Sequence, residues 1–388
     1  MKRYGYKIAC FLCLLSLSIL FLSLSIVAEE ANTEITYEQM PEEYGTWLDS
    51  IPEDVAELLP PEVFSDNAKE SADAVMEMSS FSYLIQTLLK LIGAEIGDCV
   101  KVLATVCGLL LITAVCNALK TAFSSDGIGR AFGFCTTLVI TLALMAQSYF
   151  CLEKVTQYFG NLNSVTAALL PLNGTLYAMG GNTSTAVASS AGLSVYMTVL
   201  EEIVGKSILP FCGICMAFAL MGSIDSSLRT GGLLSTVKKN YTTALAFLMM
   251  LLLAMLAAQN TLGTRADSLA MRSVRFAATN WIPVVGGSVA EVFRTISAGV
   301  GYLRGTVGVC GVLLVVLMLL PTLVKLFLLR LTWQIAASIA DLLGCEREKK
   351  LLEEFASILG YLIAAVSICS SVLLLALILL ACCGTAVG

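Results

Sequence analysis

The chain of 388 residues is 57% hydrophobic and only 13% charged, with a mean hydropathy of +0.84 and a net charge of −6. A water-soluble domain carries roughly twice that charged fraction, and several segments here reach the roughly 20 apolar residues that cross a bilayer, so a soluble protein is excluded. The chain contains no histidine, which also excludes a Ser-His-Asp triad, a Cys-His pair and imidazole ligation of a metal.

The N-terminus has the three parts of a secretory signal peptide. Lys2, Arg3 and Lys7 form a basic start, a long apolar segment follows, and Ala28 precedes two glutamates. This order predicts a signal peptide over 1–28. If it is not cleaved, the same segment anchors the chain in the same orientation.

Residues 29–100 are strongly acidic, with seventeen Asp or Glu against Lys69 and Lys90. Acidic stretches are translocated readily whereas Lys and Arg are retained, so we predict that this region lies outside the cytoplasm. Its first part, "AEEANTEITYEQMPEEYGTW" at 28–47, has the composition of a loosely ordered segment. Later, apolar residues recur at helical spacing, at Ile85, Leu88, Leu89, Ile92 and Ile96. That spacing predicts an amphipathic helix, which either lies on the outer membrane face or packs on the rest of the protein.

Residues 101–388 form the predicted membrane domain. Its apolar segments predict spans at about 102–122, 131–152, 203–222, 242–262, 306–329 and 355–383. The expected fold is an all-α polytopic membrane protein with about six to eight transmembrane helices, including glycine-rich broken or re-entrant segments. A signal peptide and an acidic extracytoplasmic region precede these helices.

One stretch between the spans, 164–198, is rich in Ser, Thr, Ala and Gly and contains Pro171 and the pair Gly180 and Gly181. Its hydropathy is too low for a helix that faces lipid. Small and hydroxylated side chains suit either a segment packed tightly inside a bundle or a re-entrant hairpin.

A second interruption falls at 282–303. The residues that disfavour a regular helix there are Pro283, Gly286 and Gly287. Small residues then recur at every fourth position, at Ser297, Gly301 and Gly305, a ladder that lets helices approach closely. The alternatives for this stretch are a re-entrant or broken helix shielded by protein, and an outer loop followed by an interfacial helix.

Charge placement supports this topology in three places and opposes it in one. With the acidic region outside, the cytoplasmic segments carry Lys120, Arg130, Arg229, Lys238, Lys239, Lys325, Arg330, Arg347, Lys349 and Lys350. The outer segment before the fifth span carries five arginines against two carboxylates, namely Arg265, Arg272, Arg275, Arg294 and Arg304 against Asp267 and Glu291. Either these arginines meet an anionic surface, or 282–303 dips inward.

No constellation points to catalysis. Cys212 and Cys215 in "PFCGIC" share a helical face, but two thiols without further ligands make a weak metal site. "DGIG" at 126–129 lacks a second intramembrane aspartate, and Glu202 and Lys206 are spaced for an ordinary i,i+4 pair. We therefore predict no enzymatic activity, no catalytic, cofactor-binding or metal-binding residues, no cofactor and no nucleic-acid partner.

Several quoted segments are similar to a known family. "FAATNWIPVVGGSVAEVFRTI", "GTVGVCG" and "LLPTLVKLF", together with "ALLPLNGTLYAMGGNTSTAV" at 168–187, resemble the stage III sporulation protein AE family of endospore-forming bacteria. The resemblance covers nearly the whole chain, with the outer region matched only in character. The structural or assembly candidates within these segments are Pro171, Gly180, Gly181, Pro283, Gly286, Gly287, Gly301, Gly305 and Pro321.

The resemblance implies a membrane subunit of a channel or secretion-like complex in the mother-cell membrane that surrounds the forespore, required for late forespore development. It implies other stage III sporulation proteins as partners, including ring-forming single-span proteins, a forespore-membrane protein and a cytosolic ATPase. The charge cluster at 345–355 is the expected docking site for that ATPase.

A stand-alone transporter or permease for a small solute is the alternative. Transporters concentrate ionisable side chains near the membrane midplane, and the predicted spans nearly lack them. That favours a subunit whose conduit forms only by assembly. An intramembrane hydrolase is disfavoured by the lack of histidine and of an aspartate pair.

Overall fold

The computed structural model describes residues 40–65, 67–122, 126–224, 230–281 and 286–382, and the regular structure of these residues is entirely helical. The predicted signal peptide and Pro283 lie outside this part of the chain. The outer region forms α1 (Glu42–Leu48), α2 (Glu53–Ala56), a short 3-10 helix (Pro61–Phe64) and α3 (Ala68–Met78). The long helices are α4 (Phe81–Ala122), α5 (Asp126–Met179), α6 (Thr183–Ile203), α7 (Leu209–Ile224), α8 (Thr230–Trp281), α9 (Gly286–Leu342) and α10 (Glu346–Cys382), with a π-helical turn (Val204–Ile208) joining α6 to α7.

Six helical stretches in the described residues are long and apolar enough to cross a membrane, and each overlaps one predicted span. They are Phe81–Ala118, Cys135–Met179, Thr183–Gly222, Leu234–Ala270, Gly299–Leu342 and Glu346–Leu379. The all-helical multi-pass fold is confirmed. At 1.5 Å per residue these stretches are about 50 to 68 Å long, well beyond a hydrocarbon core of about 30 Å. Their ends therefore extend past the bilayer.

One predicted helix break is wrong. Pro171 lies inside α5, with helical residues on both sides. Pro321, which was predicted to lie within the fifth span, lies inside α9. The carbonyl of Pro171 also accepts a hydrogen bond from the Thr175 hydroxyl (3.1 Å). The interruption in 164–198 is confined to one tight turn between α5 and α6.

The amphipathic segment around Ile85 and Ile96 is not a separate helix on the membrane face. It is the outer half of α4, which continues without a break into the first span and packs against α9 and α5. Leu88 and Ile92 are half-buried there, whereas Ile85, Leu89 and Ile96 are exposed.

In the 282–303 stretch, helix α8 ends at Trp281, and α9 begins at Gly286 and runs unbroken to Leu342. Gly286 and Gly287 thus occupy the first two positions of a 57-residue helix. The part of the stretch from Gly286 onward is helical, and the fifth candidate span begins within it at Gly299.

The outer region is more ordered than its composition predicts. Trp47 is fully buried, and its indole Nε1 donates a hydrogen bond to the Val165 carbonyl of α5 (3.2 Å). The Tyr44 hydroxyl donates to the Val63 carbonyl (3.1 Å) and lies 2.8 Å from the Ser71 hydroxyl, and burial raises the pKa of this phenol. Because these two aromatic residues bury a large apolar area, residues 40–78 fold onto the outer ends of α5 and α9 despite their charge.

The hairpin of α9 and α10 forms the centre of the bundle. Within their most apolar windows 61% and 67% of residues are buried, against 17% in α4 and 22% in α8. A tight turn at Gly344, whose φ is +71°, joins the two helices. Long apolar helices that are buried all round belong to the core of a multi-helix protein, whereas α4 and α8 lie at its periphery.

Candidate assembly site at the turn between α5 and α6

The turn from α5 to α6 contains two glycines with different roles. Gly181 has a φ of +74°, which L-residues other than glycine rarely adopt. The Gly181 amide donates to the Ala178 carbonyl (3.0 Å) and the Asn182 amide to the Tyr177 carbonyl (2.9 Å), so the last carbonyls of α5 are satisfied by a glycine C-cap.

Gly180 faces helix α9 at an ordinary contact distance. A Cβ placed at this position would lie 3.4 Å from the Val300 Cγ1 atom of α9. One turn further along α9, the Arg304 guanidinium stacks on the Tyr177 ring at 3.7 Å, and only 7% of Arg304 is exposed. One of the five predicted outer arginines is thus buried against this turn rather than displayed.

The N-terminus of α6 is capped by a carboxylate from another helix. Asp267 of α8 accepts hydrogen bonds from the Ser184 amide (2.9 Å), the Thr185 amide (2.8 Å) and the Thr185 hydroxyl (2.6 Å), and it is 3% exposed. A negative charge here offsets the partial positive charge of the helix N-terminus. Sequence reasoning missed this role and counted Asp267 only against the arginines, although a carboxylate within a long apolar segment is itself a signal.

Two further glycines, neither of them predicted, lie in the packing interface between α6 and α8, here called the seam. A Cβ at Gly263 would lie 2.9 Å from the Thr185 Cα atom, and a Cβ at Gly192 would lie 2.6 Å from side-chain atoms of both Leu256 and Gln259. The turn, the cap and this seam hold α6 and α8 together at the outer end of the bundle.

The predicted ladder of small residues on α9 does not bring another helix of the described chain close to it at Gly301, its central residue. A Cβ at Gly301 would meet no atom within 4 Å. Gly301 and Gly305 are half-buried on α9, so a role in helix packing at Gly301 requires a partner outside this chain.

Charged side chains inside the bundle have partners. The Lys325 ammonium of α9 pairs with Glu95 of α4 (2.9 Å) and lies 4.8 Å from the centre of the Phe150 ring. Lys238 of α8, which is 7% exposed, pairs with Glu354 of α10 at 3.3 Å. These pairs join helices across the bundle, which the sequence did not indicate.

The predicted Glu202–Lys206 pair forms at 2.7 Å, and both side chains are exposed. Cys212 and Cys215 are buried free thiols. In the described part of the chain, no three Cys, Asp or Glu residues are grouped closely enough to hold a metal ion.

The charge cluster at 345–355, predicted to be cytoplasmic, is partly used within the chain. Glu348 is 4% exposed and accepts a hydrogen bond from the Thr137 hydroxyl (2.9 Å), and Lys349 pairs with Asp341 (2.6 Å). The residues left exposed near the α9–α10 turn are Leu342, Glu346, Arg347, Lys350 and Glu353.

Comparison with known proteins identifies the family. The sequence profile described as stage III sporulation protein AE matches residues 67–385. The chain is 20% identical to the stage III sporulation protein AE of Bacillus subtilis (strain 168) over 277 residues, which is 71% of this chain and 69% of that protein. No solved structure matches the chain. The chain, whose described residues include six candidate membrane spans and whose sequence matches this profile over most of its length, belongs to the stage III sporulation protein AE family.

Proposed function

We propose that this protein is a membrane subunit of the channel or secretion-like complex that connects mother cell and forespore, and that late forespore development requires it. In this proposal it resides in the mother-cell membrane around the forespore, with the acidic outer region facing the space between the two membranes and the α9–α10 turn facing the mother-cell cytoplasm. It acts by assembly and not as an enzyme.

The observation that carries the proposal is the match to the sporulation family over residues 67–385, in a chain with six candidate spans. The bundle interior supports a role in assembly. The charged residues buried within it are Lys238, Asp267, Arg304 and Glu348, and each contacts another side chain or a helix end of this chain. A transporter would leave ionisable groups available to its substrate near the midplane.

The partners in this proposal are other stage III sporulation proteins, including ring-forming single-span proteins and a cytosolic ATPase. For the ATPase, the exposed residues around the α9–α10 turn offer a docking surface. Leu342 is 88% exposed there, beside the exposed charges Arg347 and Lys350. An apolar side chain flanked by charge resembles the centre and rim of a transient interface.

Two experiments test the proposal. Deletion of the gene in its own host should block development after engulfment, measured as heat-resistant spore counts and a late forespore reporter, and the wild-type gene should restore both. Purified protein in liposomes should move no small solute by itself. Normal spores from the deletion strain would refute the proposal, and solute uptake by the protein alone would establish the transporter alternative.

A further inference from the structure

Two flanks of the bundle present apolar faces that no other described part of the chain covers. The α4 stripe consists of Ile85, Leu89, Ile96 and Val100, which are 38% to 62% exposed. The α8 stripe consists of Phe247, Met250, Leu251 and Leu262, which are 54% to 69% exposed. Helix α4 packs against α9 and α5, whereas α8 packs mainly against α6 and α10, so the two stripes face in different directions.

The contacts between helices place both stripes at the same height. Glu95 of α4 is level with Lys325 of α9 because their charged ends meet at 2.9 Å. On the antiparallel pair α9 and α10, Arg330 lies against Gly360, which puts residue 365 opposite Lys325.

Lys238 donates a hydrogen bond to the Ser357 hydroxyl of α10 (3.0 Å), and α8 and α10 run parallel, so residue 365 is level with the region of Phe247. Glu95 and Phe247 therefore have about the same height. Going outward, α4 runs from Ile96 to Ile85 while α8 runs from Phe247 to Leu262, so the two stripes overlap along most of their length.

Contact with lipid alone does not explain why apolar side chains are exposed at this height. Tyr158 of α5 hydrogen-bonds to Ser370 of α10 (2.7 Å), and two turns further out Val165 accepts the hydrogen bond from Trp47. The outer region thus begins at about the height of the upper part of the α8 stripe, and its Glu42 is exposed. Exposed carboxylates are not tolerated in the hydrocarbon layer, so apolar residues at this height need protein to cover them.

Beyond the apolar stripes, the two flanks carry opposite charges at the same height. On α8, Arg265 and Arg272 follow Leu262 on the same helical face and are exposed. On α3, which leads directly into α4, the exposed residues of one face are Glu70, Asp73 and Glu77. Asp73 lies near Tyr302 of α9, and the same helix offsets place Tyr302 at about the height of Arg272. A basic face on one flank is therefore level with an acidic face on the other.

We propose that a second copy of this chain covers these surfaces, with the α3–α4 flank of one copy packed on α8 of the next. Apolar stripe then meets apolar stripe, and Arg265 and Arg272 meet Glu77 and Asp73. The two surfaces differ, so the contact is head-to-tail and extends into a ring or a chain of copies, not a closed dimer. This also explains why arginines are tolerated on the outer side of the membrane. The inference does not depend on what the complex transports.

Crosslinking of the full-length, cysteine-depleted chain in membranes of a host without sporulation genes tests the contact directly. One tagged copy carries Leu89→Cys and a differently tagged copy carries Ala254→Cys, two exposed positions at matching height. We expect an oxidised heterodimer, and a ladder of larger species when one chain carries both cysteines. The matched control replaces Ala254→Cys by Ser194→Cys, which is exposed at the same height on α6 and should not crosslink.

Charge reversal gives a second test with the native cysteines in place. Arg265→Glu combined with Arg272→Glu should reduce the association constant of fluorescently tagged copies, measured by energy transfer, at least about five-fold, as expected for the loss of two exposed ion pairs. Adding Glu77→Arg and Asp73→Arg to the same chain should restore it. Lys206→Glu, on another flank, is the control.

The proposal is overturned if Leu89→Cys and Ala254→Cys crosslink no better than the control pair, or if the four-fold charge reversal does not restore energy transfer. Quenching of labels at both positions by nitroxide lipids would assign the stripes to lipid. Crosslinks that instead require a second sporulation protein would assign them to a different partner. Each result is independent of whether the deletion strain makes spores.

Discussion

The Asp267 carboxylate of α8 holds the N-terminus of α6 through the backbone amide and the hydroxyl of Thr185. Replacing this carboxylate by an amide in Asp267→Asn keeps the shape but removes the charge and one acceptor. We expect a loss of about 1 to 3 kcal/mol in the free energy of unfolding, the cost of leaving buried donors poorly satisfied. The measurement is thermal unfolding of the purified protein in lipid nanodiscs.

The control for this change is Asp49→Asn, at an exposed carboxylate just after α1, which should leave thermal stability unchanged. Equal stability of Asp267→Asn and the wild type would show that the helix end is satisfied in another way.

Glycines that look alike in the sequence should respond very differently to leucine. A Cβ at Gly263 would lie 2.9 Å from the backbone of α6, whereas a Cβ at Gly301 meets open space. Gly263→Leu should therefore force α6 and α8 apart and yield aggregated or degraded protein. Gly301→Leu should fold normally, as measured by size-exclusion chromatography in detergent.

Spore counts then show whether Gly301 has a role in assembly. A folded Gly301→Leu protein that fails to support sporulation would place the ladder on α9 against a partner. Full sporulation would mean that the ladder has no role in assembly.

The two glycines of the α5–α6 turn make a matched pair. Gly181→Ala places a side chain at a φ of +74°, which costs about 1 to 2 kcal/mol because of the clash between Cβ and the backbone. Gly180→Ala meets Val300 at 3.4 Å, an ordinary contact. Unfolding in nanodiscs should show Gly181→Ala clearly less stable than Gly180→Ala, and the reverse order would contradict the assigned turn geometry.

The six apolar segments were predictable because hydrophobic length is a local property of the sequence. Helix ends were less predictable. Proline removes one intrahelical hydrogen bond and normally marks a break, yet Pro171 lies within the continuous helix α5 and Pro321 within α9. The order of α1 was also missed, because Trp47 finds its partner at Val165, 118 residues away.

The candidate site was also only partly predictable from the sequence. Gly180 and Gly181 were identified because paired glycines mark turns. Gly263 and Asp267 were not, because both act on Thr185, about eighty residues earlier in the chain. Nothing in the local pattern around either residue indicates which helix it will face.

The Glu95–Lys325 pair between α4 and α9 permits a test by single and double substitution. Lys325→Met leaves the Glu95 carboxylate half-buried and without its counter-charge. Glu95→Gln leaves the Lys325 ammonium half-buried and without its counter-charge. Both single variants should lose thermal stability, whereas the double variant should recover most of it, because removing both charges is far less costly than stranding one. Additive losses in the double variant would show that the two residues do not interact.

The start of α9 gives the sharpest test of a role in assembly. Gly286 and Gly287 are its first two helical residues, and leucine is a good helix former, so replacing both by leucine should leave helix α9 and the insertion of α8 and α9 intact. We expect the double variant to be made at normal levels with unchanged protease protection of its outer region, yet to abolish sporulation because two bulky side chains block packing against neighbouring protein. The control is Gly108→Leu on α4, where a Cβ meets open space. Normal spore counts from the double variant would mean that this junction only connects two helices.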